Sequence, residues 1–104
     1  MEKMRATGER MDAQREAAIM EAAVEHYGVE AQMIKAMEEL GELTQAVARV
    51  LLWGNGEDEL ENLREEMADV SIMLNQLEMI FGDVADVEEQ KLLRLEQRIQ
   101  EDEG

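Results

Sequence analysis

The chain has 104 residues, 26 of them acidic and 10 basic, for a net charge of −16. Such a charge repels nucleic acid and anionic membrane surfaces. It excludes a simple basic groove for a phosphorylated ligand, so an anionic substrate has to arrive with a metal ion. The absence of Cys removes disulfides and thiolate metal sites, while the absence of Pro and the weight of Ala, Leu, Met, Glu and Gln point to a single all-α domain over 1–104.

In chain order, residues 1–12 are polar and weakly periodic, and a frayed lead-in is expected there. The stretch MEKMRATGERMDAQ has no signal-peptide apolar region, and no window reaches the roughly 18 apolar residues of a membrane span; a cytoplasmic protein is expected. Residues 13–27 read as a first helix, stopped by Gly28. Residues 29–53 read as a long second helix, ending at the turn Gly54-Asn55-Gly56. That turn is no phosphate loop, because the G-x-G-x-x-G spacing and a preceding strand are absent. Asp58 and Glu61 form a capping-box pattern, so a third helix is expected from about residue 58 to residue 81. Gly82 and Asp83 break it. Residues 84–100 read as a fourth helix, with EDEG at 101–104 expected to be a disordered tail. His26 reads as structural or exposed, Trp53 as a packing anchor, and the methionines as fillers of core and interface gaps.

Helical phase separates the acids. With Met33 as zero and ~100° per residue, Ala36, Met37, Leu40, Leu43, Val47, Val50 and Leu51 form one apolar arc near ~330°. Glu39 at ~240° and Glu42 at ~180° stand on its shoulder, and Glu38 at ~140° stands further round. With Leu60 as zero on the third helix, Leu63, Met67, Val70, Leu74, Leu77 and Phe81 centre near ~300°. Glu66 at ~240° and Asp69 at ~180° take the shoulder of the same hand. A short Gly-Asn-Gly turn makes the second and third helices a long central antiparallel hairpin, so both acid pairs are expected on one side of it at similar heights. Ile72, Met73, Met79 and Ile80 lie off the main stripe, so the C-terminal half of the third helix is expected to pack on another subunit in an oligomeric helical bundle.

Acid pairs spaced i, i+3 are ordinary on a solvated face in this chain; Glu9 with Asp12 is one and Asp58 with Glu61 another. Four carboxylates from two facing helices are a hard, oxygen-only donor set. Such a set suits Mg²⁺, with Mn²⁺ as a substitute, and not zinc. Crowded without a cation, these charges would be strongly unfavourable.

The blocks Glu38-Glu39-Leu40-Gly41-Glu42 and Glu66-Met67-Ala68-Asp69, 23 residues apart, resemble the E-E-x-x-E … E-x-x-D pattern of MazG-like nucleoside triphosphate pyrophosphohydrolases. These belong to the all-α NTP pyrophosphatase superfamily. The flanks Gln32-Met33-Ile34-Lys35, Ile72-Met73-Leu74 and Lys91-Leu92-Leu93-Arg94-Leu95 fit as well, so the resemblance covers roughly residues 20–100. It implies a Mg²⁺-dependent enzyme that cleaves a (d)NTP between the α- and β-phosphates, in house-cleaning of the nucleotide pool. Carried over residue by residue, it makes Glu39, Glu42, Glu66 and Asp69 the metal ligands. Glu38 and Glu39 become the catalytic acids, with Glu38 orienting the water. It also implies a homodimer or homotetramer.

For the substrate, Lys35, on the acid shoulder, and Lys91 and Arg94, on the fourth helix, are candidate phosphate partners; Lys35 reads equally as an ion-pair partner of a neighbouring acid. Gln32 and Gln76 are candidates to orient a base or a water. Phosphoribosyl-ATP pyrophosphohydrolase is the alternative within the superfamily, since it shares the metal acids. A non-catalytic acidic helical protein that binds a basic partner is the alternative of another class. Such a protein needs acids spread over an exposed surface, whereas these four flank apolar stripes at matched heights.

Overall fold

Four helices and no strand make up the described part of the computed structural model, residues 10–104. They are α1 (Ala13–Tyr27), α2 (Val29–Trp53), α3 (Glu57–Phe81) and α4 (Ala85–Glu103). The expected bounds of the first two helices match. Residues 1–9 of the expected lead-in lie outside the described residues. Its last member, Asp12, is ordered: it caps α1 by accepting the Arg15 backbone N–H at 2.8 Å.

Glycine sets the helix ends. Gly28 and Gly54 have φ of 94° and 96° with extended ψ, a backbone region that side chains with a Cβ avoid. Each donates its N–H back to the helix it ends, to Val24 O and Val50 O. Two expectations are corrected here. The capping box of Asp58 and Glu61 is not formed: α3 starts one residue earlier, from Gly56, without a side-chain cap. Asp58 is therefore already inside the first turn, where Glu57, Asp58 and Glu59 complement the positive helix end. The tail is not disordered either. α4 continues through Glu103, because residues 97–103 are mostly good helix formers and Gly104 donates its N–H to Gln100 O.

α2 packs on α3 more extensively than any other pair, and α1 touches both. The packed faces are rotated ~70–80° from the centres of the apolar stripes toward the acids. On α2 the buried residues are Gln32, Ala36, Glu39 and Ala46; on α3 they are Val70, Met73 and Gln76. The small side chains of Ala36 and Ala46 (3% and 1% exposed) let the backbones approach there, and the larger apolar residues are turned outward. Met37, Leu40, Val47 and Leu51 on α2, and Met67, Leu74 and Phe81 on α3, all remain exposed. Trp53, expected as a packing anchor, is exposed as well.

α4 stands apart. No Cα of α4 comes within 8 Å of another helix, and every residue of it is exposed. The radius of gyration, 17.3 Å, exceeds the about 13 Å of a compact chain this long. No helix among the described residues is long and apolar enough to cross a membrane.

Candidate metal centre

The α2–α3 contact carries the acids. Glu39, Glu42 and Glu66 each offer a carboxylate oxygen, and the three oxygens lie within 4.8 Å of one another. Ligand oxygens on an octahedral Mg²⁺ sit about 3 Å apart when adjacent and about 4 Å when opposite. Small side-chain rotations would therefore close this trio on an ion. The three differ in burial: Glu39 is buried, Glu66 half-buried and Glu42 exposed. The centre thus has a dry inner wall and an open outer side.

The inner wall is short of partners. Oε1 of Glu39 and Oε1 of Glu66 are both buried and accept no hydrogen bond. A buried unsatisfied polar atom costs about 1–3 kcal/mol, and more when charged. Burial, followed by the charges of Glu42, Asp69 and Glu39, raises the Glu66 carboxyl above the ordinary glutamate range. Glu42 is also close enough to share a proton with it. Two orphaned oxygens and mutual repulsion are what an oxygen-coordinated divalent cation relieves. The donor set therefore fits Mg²⁺ or Mn²⁺, as expected from the sequence.

One cation of the chain is already in place. Lys35 Nζ lies 3.2 Å from Glu39 Oε2 and 4.0 Å from Glu38 Oε1. Hydrogen bonding and charge from Glu39 hold the Lys35 ammonium above the ordinary lysine range. The pair leaves Glu39 with one oxygen on Lys35 and the other directed to neither donor nor solvent. Glu39 stands on the packed face, not on its shoulder, because the face is rotated toward it.

A cavity of about 540 Å³ opens beside the acids. Lys35, Glu38, Glu39 and Asp69 line one part of it. Asp69 is outside the tight trio yet near enough to act on Glu66. Ile72 and Met73 were expected to face another subunit; they line this cavity instead, Met73 being buried. Gln32 lines it too, and its Nε2 donates to Oε1 of Gln76 across the helix pair at 2.7 Å. Gln76 is buried behind Gln32 and is not on the wall. Lys91 and Arg94 are not brought to the site within the chain; both are exposed on the detached α4.

Sequence reasoning missed Tyr27, which also lines the cavity. Its signal was available: it is the only Tyr in the chain and the last residue before the Gly28 bend that returns α2 alongside α1. His26 is exposed and packs edge-on against the Tyr27 ring at 4.7 Å.

No family model matches the chain, and neither a curated protein nor a solved structure matches it.

Proposed function

We propose that this protein is a Mg²⁺-dependent nucleoside triphosphate pyrophosphohydrolase of the MazG-like kind, with α2 and α3 as its antiparallel hairpin. The observation that carries the reading is the convergence of Glu39, Glu42 and Glu66 with two buried oxygens left unpartnered. Those three acids, with Asp69 beside them, would hold the metal. Bound there, Mg²⁺ supplies charge neutralisation for the triphosphate and acidifies a coordinated water. Lys35 neutralises Glu39 and faces the phosphates. Glu38, exposed at the cavity's edge, is free to accept the proton of the attacking water. Water adds to the α-phosphorus, the bond to the bridging oxygen breaks, and the products are a (d)NMP and pyrophosphate.

The same reading has the chain working as a dimer or tetramer. The outward halves of the apolar stripes and the Leu92, Leu95 and Ile99 face of α4 are left without partners in one chain. A second copy covering them would carry its own Lys91 and Arg94 toward the triphosphate.

The test is pyrophosphate release from a panel of (d)NTPs and phosphoribosyl-ATP with Mg²⁺. Activity is expected on at least one nucleotide, falling by about 100-fold or more in Glu39→Gln, Glu66→Gln and Asp69→Asn. It should be largely kept in Glu57→Gln and Glu101→Gln. Inactivity across the panel would favour the acidic binding protein.

A further inference from the structure

The acids account for one part of the cavity, and the rest of its wall is of a different kind. Tyr27 presents a largely exposed ring, and Ala31, Ile34, Ile72 and Met73 supply apolar surface. Gln32 is the only amide on the wall. It is 8% exposed, and the Gln76 behind it is 3% exposed. Their hydrogen bond gives the pair a direction: Gln32 Nε2 donates to Gln76 Oε1 at 2.7 Å. Among the described residues no donor reaches Gln32 Oε1. The cavity thus offers an aromatic face, apolar sides and one carbonyl acceptor, in continuity with the acidic trio through Glu39, which belongs to both. Its volume is within the about 300–1,000 Å³ of small-molecule sites.

We infer that this part of the cavity is the nucleobase pocket, with Tyr27 as the stacking face and Gln32 as an acceptor that selects bases bearing an exocyclic amino group. The inference rests on the nucleotide reading and adds the substrate class to it. Cytosine and adenine place an amino donor where uracil and hypoxanthine place a carbonyl. Opposite Gln32 Oε1, the amino group completes a hydrogen bond. A carbonyl there sets two lone pairs against each other out of water. Gln32 cannot relieve this by turning its own amide. Its Oε1 would then meet Gln76 Oε1, unless Gln76 turned as well inside a buried contact. The direction of this amide pair therefore sets the preference, and no contact to the metal ligands is needed for it.

The test uses substrates that differ at the amino or oxo position: dCTP against dUTP, and ATP against ITP, with Mg²⁺. The amino member of each pair is expected to have a kcat/KM higher by about tenfold or more. Gln32→Met should bring both ratios close to one. Tyr27→Ala, at an exposed position, should weaken all four substrates and leave the ratios in place. Equal rates within both pairs in the wild-type chain, or a preference for the oxo members, would overturn the inference. A second measurement separates this failure from failure of the hydrolase reading: ¹H–¹⁵N NMR titration of the wild-type chain with dCMP, dUMP, AMP and IMP in the presence of Mg²⁺. The Gln32 side-chain amide and the Tyr27 and Ala31 backbone signals are expected to shift with dCMP and AMP, at about tenfold lower concentration than with dUMP and IMP. Shifts of these signals without hydrolysis of any NTP would keep the base pocket and reject the enzyme. No shift of these signals with any of the four nucleotides would reject the pocket, whatever the hydrolysis assay gives.

Discussion

At the scale of single residues, the candidate site was legible because carboxylates at i, i+3 spacing share a helix face whatever the rest of the fold does. Phase placed Glu39 and Glu66 together from the sequence, and both end with an orphaned oxygen in the same contact. Tyr27 was not legible as a site residue. Its position depends on how the Gly28 bend returns the chain, which no periodicity within one helix reports. The Glu66 carboxyl gives a pH prediction. Its pKa in the fold is raised, so its contribution to stability is full below the ordinary glutamate pKa and is lost as pH rises through the raised value. Metal-free wild-type protein should therefore lose melting temperature between about pH 5 and about pH 7.5 more steeply than metal-free Glu66→Gln, which lacks the titrating group. Comparing the two slopes removes the general repulsion of an acidic chain. Parallel slopes in thermal melts at several pH values would contradict the crowding of these acids.

At the scale of the elements, glycine marked the ends of α1, α2 and α3 in the sequence, and the structure places breaks there. The start of α3 and the end of α4 were misread for local reasons: an acidic first turn resembled a capping box, and a polar tail of good helix formers resembled disorder. The packed faces were misread for a tertiary reason. Hydrophobic phase finds where apolar surface lies, whereas closest approach between two helices follows their smallest side chains, here Ala36 and Ala46. The bend at Gly54 is required by its backbone, φ 96° and ψ 176°. Gly54→Ala should cost about 1–3 kcal/mol in chemical denaturation, although open space surrounds the position and no contact is lost. A change close to zero would mean that the α2–α3 turn adopts another conformation in solution.

At the scale of the molecule, one chain leaves much apolar surface in water. Its 8577 Å² of accessible surface exceeds the about 5,900 Å² of a compact chain of 11.9 kDa. Leu51, Trp53, Met37 and Phe81 are each more than three-fifths exposed. Sedimentation velocity is therefore expected to give a dimer or tetramer. Leu51→Asp with Leu74→Asp should move the mass toward one chain while far-UV helicity persists. A wild-type monomer at tens of micromolar would contradict this. The all-helical class was legible from composition because nothing in the chain competes with helix. How the copies meet was not, because several faces of α2, α3 and α4 are apolar at once and periodicity does not rank them. The metal centre is the claim on which the rest depends, and it does not require the substrate to be known. Its most direct test is the melting temperature of wild-type and Glu39→Gln protein, each with and without excess Mg²⁺ or Mn²⁺ at constant ionic strength. The wild-type chain should gain several degrees from the cation, and the variant much less. Equal gains in the two proteins, or none in either, would contradict a site built on Glu39, Glu42 and Glu66.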